Sequence, residues 1–102
     1  MTIAPAFDEL IHAPTRLSIV ALLAASQWAE FTFVRDSLGM SDSALSKQVS
    51  TLEEAGYVTV RKTGAGRNRR THIRLSPRGR RAFAGHAAAL QQIIADAAAH
   101  TP

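Results

Sequence analysis

The chain of 102 residues contains no cysteine. Disulfide staples, thiolate zinc sites and thiol redox sensing are excluded together. Long apolar runs are missing too. The longest, Ile19 to Ala25, has seven residues, and a membrane span needs about 20. The N-terminus, Met1-Thr2-Ile3-Ala4-Pro5, has no basic segment ahead of an apolar stretch. No signal peptide is expected, and the cytoplasm is the expected location. There is no Gly-x-Ser-x-Gly elbow, and Gly64-Ala65-Gly66 lacks the Gly-Lys-Ser/Thr of a phosphate-binding loop. The histidines, His12, His72, His86 and His100, show no tight ligand spacing. No enzyme, metal or cofactor is expected. Acid is absent over a long stretch: no Asp or Glu occurs from Gly56 to Ala95.

What is present is one-sidedly basic. Net charge is only +4, but nine of the twelve basic residues fall between Arg61 and Arg81. Such a block points to a polyanion partner. Apolar residues at 46% and charged residues at 20% are ordinary for a folded chain. The length predicts a single domain over residues 1–102. A chain this short buries a modest share of its surface, so pairing of subunits would help it.

The pattern predicts a mainly α fold with a small β-hairpin. Phe7 to Ile11 reads as a short helix. Pro14 opens a second, from Thr15 to about Ala25, with Leu17, Val20, Ala21 and Ala24 on its buried face. Ala29-Glu30-Phe31 reads as a short strand. Thr32 is placed to cap a third helix ending at Leu38, and Ser41 a fourth from Asp42 to about Ala55. Tyr57 to Lys62 and Arg70 to Leu75 read as strands joined through Gly64-Ala65-Gly66. Ser76-Pro77 starts a last helix reaching to about Ala98. The order is α-α-β-α-α-β-β-α.

Two short helices around Gly39-Met40-Ser41 fit a helix-turn-helix, with glycine supplying the unusual backbone of the turn. In the fourth helix Leu45, Val49, Leu52 and Gly56 fall on one side and Ser43, Ser46, Lys47 and Ser50 on the other. The second face is slim and rich in hydrogen-bonding groups, as a helix entering a groove about 12 Å wide requires. Glu53 and Glu54 sit at the far end, where they need not meet DNA. Arg67, Asn68, Arg69 and Arg70 cluster at the hairpin tip, where they can reach phosphates or a minor groove. His72 reads as a surface residue or a phosphate contact, and Trp28 and Phe33 as core or as lining of an effector pocket.

These pieces together resemble the winged helix-turn-helix transcription regulators of the MarR/ArsR type, above all their short MarR-like members. The resemblance is carried by His12-Ala13-Pro14-Thr15-Arg16-Leu17, Leu38-Gly39-Met40-Ser41 and Ala44-Leu45-Ser46-Lys47-Gln48-Val49. It continues through Leu52 to Val58, through Gly66-Arg67-Asn68-Arg69-Arg70-Thr71 and through Arg74 to Gly79. It implies a recognition helix presenting Ser41, Asp42, Ser43, Ser46, Lys47 and Ser50 to the major groove. It implies a wing contacting DNA through Arg61, Lys62, Arg67, Asn68, Arg69 and Arg70, and dimers formed by the terminal helices, residues 1–12 and 77–98. The cysteines of metal- and peroxide-sensing relatives are absent here.

The last helix supports pairing on its own pattern. Phe83, Ala87, Leu90, Ile94 and Ala97 repeat at alternating four- and three-residue steps, a narrow helix-pairing seam. Ile3, Phe7, Leu10 and Ile11 are placed to join it. The expected protein is a homodimer on a palindromic double-stranded DNA site, its recognition helices about 34–36 Å apart. Repression by promoter occlusion is the expected outcome. An effector, if there is one, would bind at the dimer seam. Two other readings stay open: a protein-interaction module, and a protein that coats DNA without sequence choice.

Overall fold

The computed structural model describes residues 3–100. Asp8 caps the first helix, α1 (Glu9–His12), its Oδ1 accepting from the Ile11 amide at 3.0 Å. This cap explains why the helix starts after Phe7 rather than at it. Pro14 is the first residue of α2 (Pro14–Ala24). Helix α2 is packed on several sides, by α1, α3, α4, α5 and the sheet. Its largest apolar side chains, Ile19, Val20 and Leu23, therefore take the buried positions. Ala21, expected on the buried face, is exposed.

Strand β1 (Ala29–Glu30) runs straight into α3 (Phe31–Leu38). Its pairing with β3 (Arg70–Leu75), Ala29 to Ile73 and Glu30 to His72, fixes the chain up to Glu30, so the helix begins at Phe31. Glu30, not Thr32, is the residue at the cap position. Gly39 then adopts the left-handed backbone (φ 63°), and the Met40 amide returns to the Arg35 carbonyl at 3.0 Å. Ser41 caps α4 (Asp42–Glu54), its Oγ accepting from the Ala44 amide at 3.1 Å. Gly56, expected on the core side of α4, lies exposed just past its end.

Strands β2 (Val58–Thr63) and β3 form the antiparallel ribbon, and the sheet order is β1-β3-β2. Alternation along the ribbon puts Val58, Val60, Ile73 and Leu75 on the inner face. A short 3₁₀ turn, Gly66–Asn68, closes the tip. Ser76 caps α5 (Pro77–Ala99), its Oγ accepting from the Gly79 amide at 3.0 Å. The core gathers Ile11, Ile19, Leu23, Val34, Leu45, Leu52, Ile73 and Leu75 between the helices and the sheet.

Helix α5 has two different halves. Gly79, Gly85, His86 and Ala89 are buried, and Phe83 packs against the core of its own domain. Residues 91–100 are exposed throughout. Of the residues expected in a dimer seam, Phe83 and Ile11 thus pack within the chain, while Leu10, Ala87 and Leu90 are half-buried. Ile3, Phe7 and Ile94 are left outward, joined by Ile93, which the heptad-like pattern passed over; these four are 48–68% exposed.

Candidate nucleic-acid interface

The polar face of α4 forms as its apolar periodicity dictates. Leu45, Val49 and Leu52 are buried, which turns Ser43, Ser46, Lys47 and Ser50 outward, all exposed. Ser46 and Ser50 share an open groove of about 720 Å³ with Lys62 and Thr71 of the ribbon. Lys62 and Thr71 are cross-strand partners and extend the ribbon face that bears Val60 and Ile73. Helix face and ribbon therefore open to the same side.

Acids also border this groove. Asp42 lines it, yet its carboxylate is held by Arg35 at 2.8 Å, and Arg35 also bonds Asp36 at 2.8 Å. Those side-chain bonds, first to Asp36 and then to Asp42, raise the guanidinium pKa further. Asp42 thus fastens α3 to the first turn of α4, where an acid also suits the helix dipole. It is an intrachain partner of Arg35 before it is a base contact. Glu53, at the far end of α4, lines the groove as well.

The wing is exposed from residue 61 through 70. Among the described residues Arg67 and Arg69 have no ion-pair partner. Arg70 does have one: Glu30 of β1 lies 3.6 Å away and also 3.9 Å from His72. His72 is half-buried in the sheet, opposite Arg61. Arg61 leaves the ribbon on the face away from Lys62, its guanidinium 4.3 Å from the Trp28 ring, and Arg74 stacks there at 4.8 Å. Trp28 is thus a half-buried platform for two cations, and Phe33 is 52% exposed rather than core.

A family model for the winged helix DNA-binding domain matches residues 15–94, from α2 through most of α5. The chain belongs to the winged helix DNA-binding domain family. An uncharacterized protein of Methanocaldococcus jannaschii is 29% identical over 75 residues, covering 74% of this chain and 82% of its own. A transcriptional regulator homologue from Pyrococcus horikoshii superposes with a TM-score of 0.81 at 24% identity, over 87% of this chain and 88% of its own. A homodimeric winged helix-turn-helix DNA-binding fragment from Mycobacterium bovis, a possible ArsR-family regulator, does so at 0.65 and 26% identity, over 86% and 73%.

This winged helix domain also holds polar contacts that the sequence did not announce. Arg16 of α2 donates from Nε to the Leu10 carbonyl at 2.6 Å and from Nη1 to Gln48 Oε1 on α4 at 3.0 Å. The Tyr57 hydroxyl donates to Asp8 Oδ2 at 2.5 Å. Burial pushes the Asp8 carboxyl up, but the bonds from Tyr57, Ile11 and Leu10 outweigh it and hold it low. Tyr57 is raised in return, chiefly by that same bond. Arg16, Gln48 and Tyr57 all lie within motifs quoted from the sequence, but Arg16 and Gln48 are 32 residues apart and Tyr57 and Asp8 are 49, so no local pattern pairs them. Among the described residues no cluster of three metal-ligating side chains occurs, and no helix is long and apolar enough to cross a membrane.

Proposed function

We propose that this winged helix domain is a transcription regulator that binds a palindromic double-stranded DNA site as a homodimer. Helix α4 enters the major groove and the wing lies on the backbone or an adjacent minor groove. Repression by occlusion of a promoter is the simplest consequence, and no catalysis is involved. The observation that carries this reading is the shared groove: Ser46 and Ser50 of α4 face the same opening as Lys62 and Thr71, and Arg67 and Arg69 stand exposed at the wing tip. A module built for protein contacts would more often present an apolar patch at that place.

Selection of bound duplexes from a random pool tests it, and convergence on a two-fold symmetric site is the expected result. Lys47 is exposed at the middle of the polar face. On the selected site Lys47→Ala is expected to lower discrimination against a scrambled duplex by about 1–3 kcal/mol. Gel shifts on both duplexes measure this. Equal losses on the two would remove Lys47 from base reading.

Pairing is supported by the exposed apolar groups Ile3, Phe7, Ile93 and Ile94 and by the homodimeric state of the Mycobacterium bovis fragment. Ile94 is 68% exposed, so Ile94→Glu leaves the domain folded. It is expected to raise the dimer dissociation constant by about tenfold or more, since each buried isoleucine contributes about 1.5–3 kcal/mol. Sedimentation equilibrium reads the change. A parent chain that is monomeric at binding concentrations would rule the pairing out.

A further inference from the structure

The N-terminal segment is tied to α5 by polar groups that take no part in the DNA-facing surface. The Ala6 amide donates to the Gly85 carbonyl at 2.9 Å. The Asp8 amide donates to Nδ1 of His86 at 3.0 Å, and His86 is fully buried. Nε2 of His86 lies 3.2 Å from Nδ1 of His12. Because Nδ1 accepts from an amide, the neutral His86 ring carries its hydrogen on Nε2 and donates it to His12. A second proton would go to Nδ1 and set a donor against the Asp8 amide.

The same segment grips the recognition helix at two places. Midway along α4, Arg16 joins Gln48 to the Leu10 carbonyl. Beyond the end of α4, the Tyr57 hydroxyl is bonded to Asp8, and the Tyr57 carbonyl accepts from the Ser76 amide at 2.9 Å. We infer that residues 6–12 form a strap positioning the recognition helix, and that His86 is the proton-sensitive latch of that strap. The output of the strap rests on the DNA-binding reading; its existence does not.

The groups facing His86 decide the direction of the response. From the N-terminal segment come the His12 ring, the Asp8 carboxylate and the Phe7 ring, whose centroid is 4.8 Å away. Behind Asp8 stands Tyr57, with Arg78 of α5 over its ring at 5.8 Å. Burial above all holds the His86 imidazole below its ordinary 6.5; charge on His12 adds to this and Asp8 opposes it. Released, the ring returns to 6.5 and takes up a proton more readily than when docked. Docking is therefore at full strength above about 6.5 and weakens as pH falls below it. One unit lower, the docking equilibrium has shifted by up to about tenfold.

Amide hydrogen exchange on the full chain without DNA, at about pH 7.5 and about pH 5.5 and corrected for intrinsic rates, tests the latch. Protection of the Ala6 and Asp8 amides is expected to fall by up to about tenfold at the lower pH. The Arg16 Nε–H resonance should weaken in parallel, while the core amide of Leu23 stays unchanged. His86→Asn keeps an acceptor near the Asp8 amide but cannot titrate here, so its protection should not depend on pH. No loss in the parent, or an equal loss in His86→Asn, overturns the latch. Loss at Ala6 and Asp8 with Arg16 Nε–H unmoved overturns the grip on α4. Should His86→Asn fail to fold, Tyr57→Phe serves: it should lower protection of Asp8 at both pH values, and unchanged protection would overturn the strap. On a selected duplex, the parent's preference over a scrambled one should decline at the lower pH. If no duplex is selected, the DNA reading fails while the exchange data still decide the strap.

Discussion

Replacing Arg67 and Arg69 together by glutamate is expected to weaken binding to every duplex by about a hundredfold or more at physiological salt. Both residues are exposed at the wing tip, and among the described residues neither has an ion-pair partner. Their charge is thus available to phosphate. For every phosphate that is no longer neutralised, the slope of log affinity against log salt should fall by about 0.9, and the introduced acids add repulsion. Stability should change by no more than about 0.5 kcal/mol, since nothing in the fold leans on these side chains. Not every wing arginine should behave this way. Arg70 sits 3.6 Å from Glu30, and Arg61 is stacked on Trp28, so part of what either contributes is spent within the chain. Gel shifts of the double variant over a range of salt give both quantities. A salt slope equal to the parent's would place the tip off the DNA.

The contrast between these arginines shows which parts of the molecule were legible in the sequence. The Ser41 and Ser76 caps, the Gly39 turn and strand β3 from Arg70 to Leu75 follow from chemistry within a few residues of chain, and they stand where they were read. The polar face of α4 followed from its apolar periodicity. Sheet pairing is different. It sets Glu30 beside Arg70 and His72 across some forty residues, and no local pattern carries that. The wing therefore looked free of acid when one of its arginines is partly neutralised. Periodicity along α5 could not tell self-packing from pairing. Phe83 and Ile94 share one stripe, yet one meets its own core and the other solvent. His86 looked like an isolated histidine, because its partners His12 and Asp8 are more than seventy residues away.

The joint between recognition helix, wing and α5 includes a close backbone approach of Gly79 to Tyr57, and breaking it should give the largest loss of stability. A Cβ at position 79 would fall 2.1 Å from the Tyr57 carbonyl oxygen and 2.9 Å from its carbon. Both are backbone atoms, so no side chain can swing clear. The same carbonyl accepts from the Ser76 amide at 2.9 Å, and Ser76 Oγ donates to the Gly56 carbonyl at 2.6 Å while capping α5. Gly79→Ala must therefore push the first turn of α5 off the α4–β2 connection and strain both Ser76 bonds. Alanine gains about 1 kcal/mol in helix propensity. Overpacking typically costs about 1–3 kcal/mol and more where backbone must move. The clash is with backbone on both sides, so the net expectation is a loss of about 2 kcal/mol or more. Urea unfolding should show a lower midpoint at unchanged slope. Because Tyr57 also bonds Asp8, the shift should reach the N-terminal segment as well. A variant as stable as the parent would mean that α5 can slide over Tyr57 freely, leaving the wing and the recognition helix without the common frame through which they are aimed together.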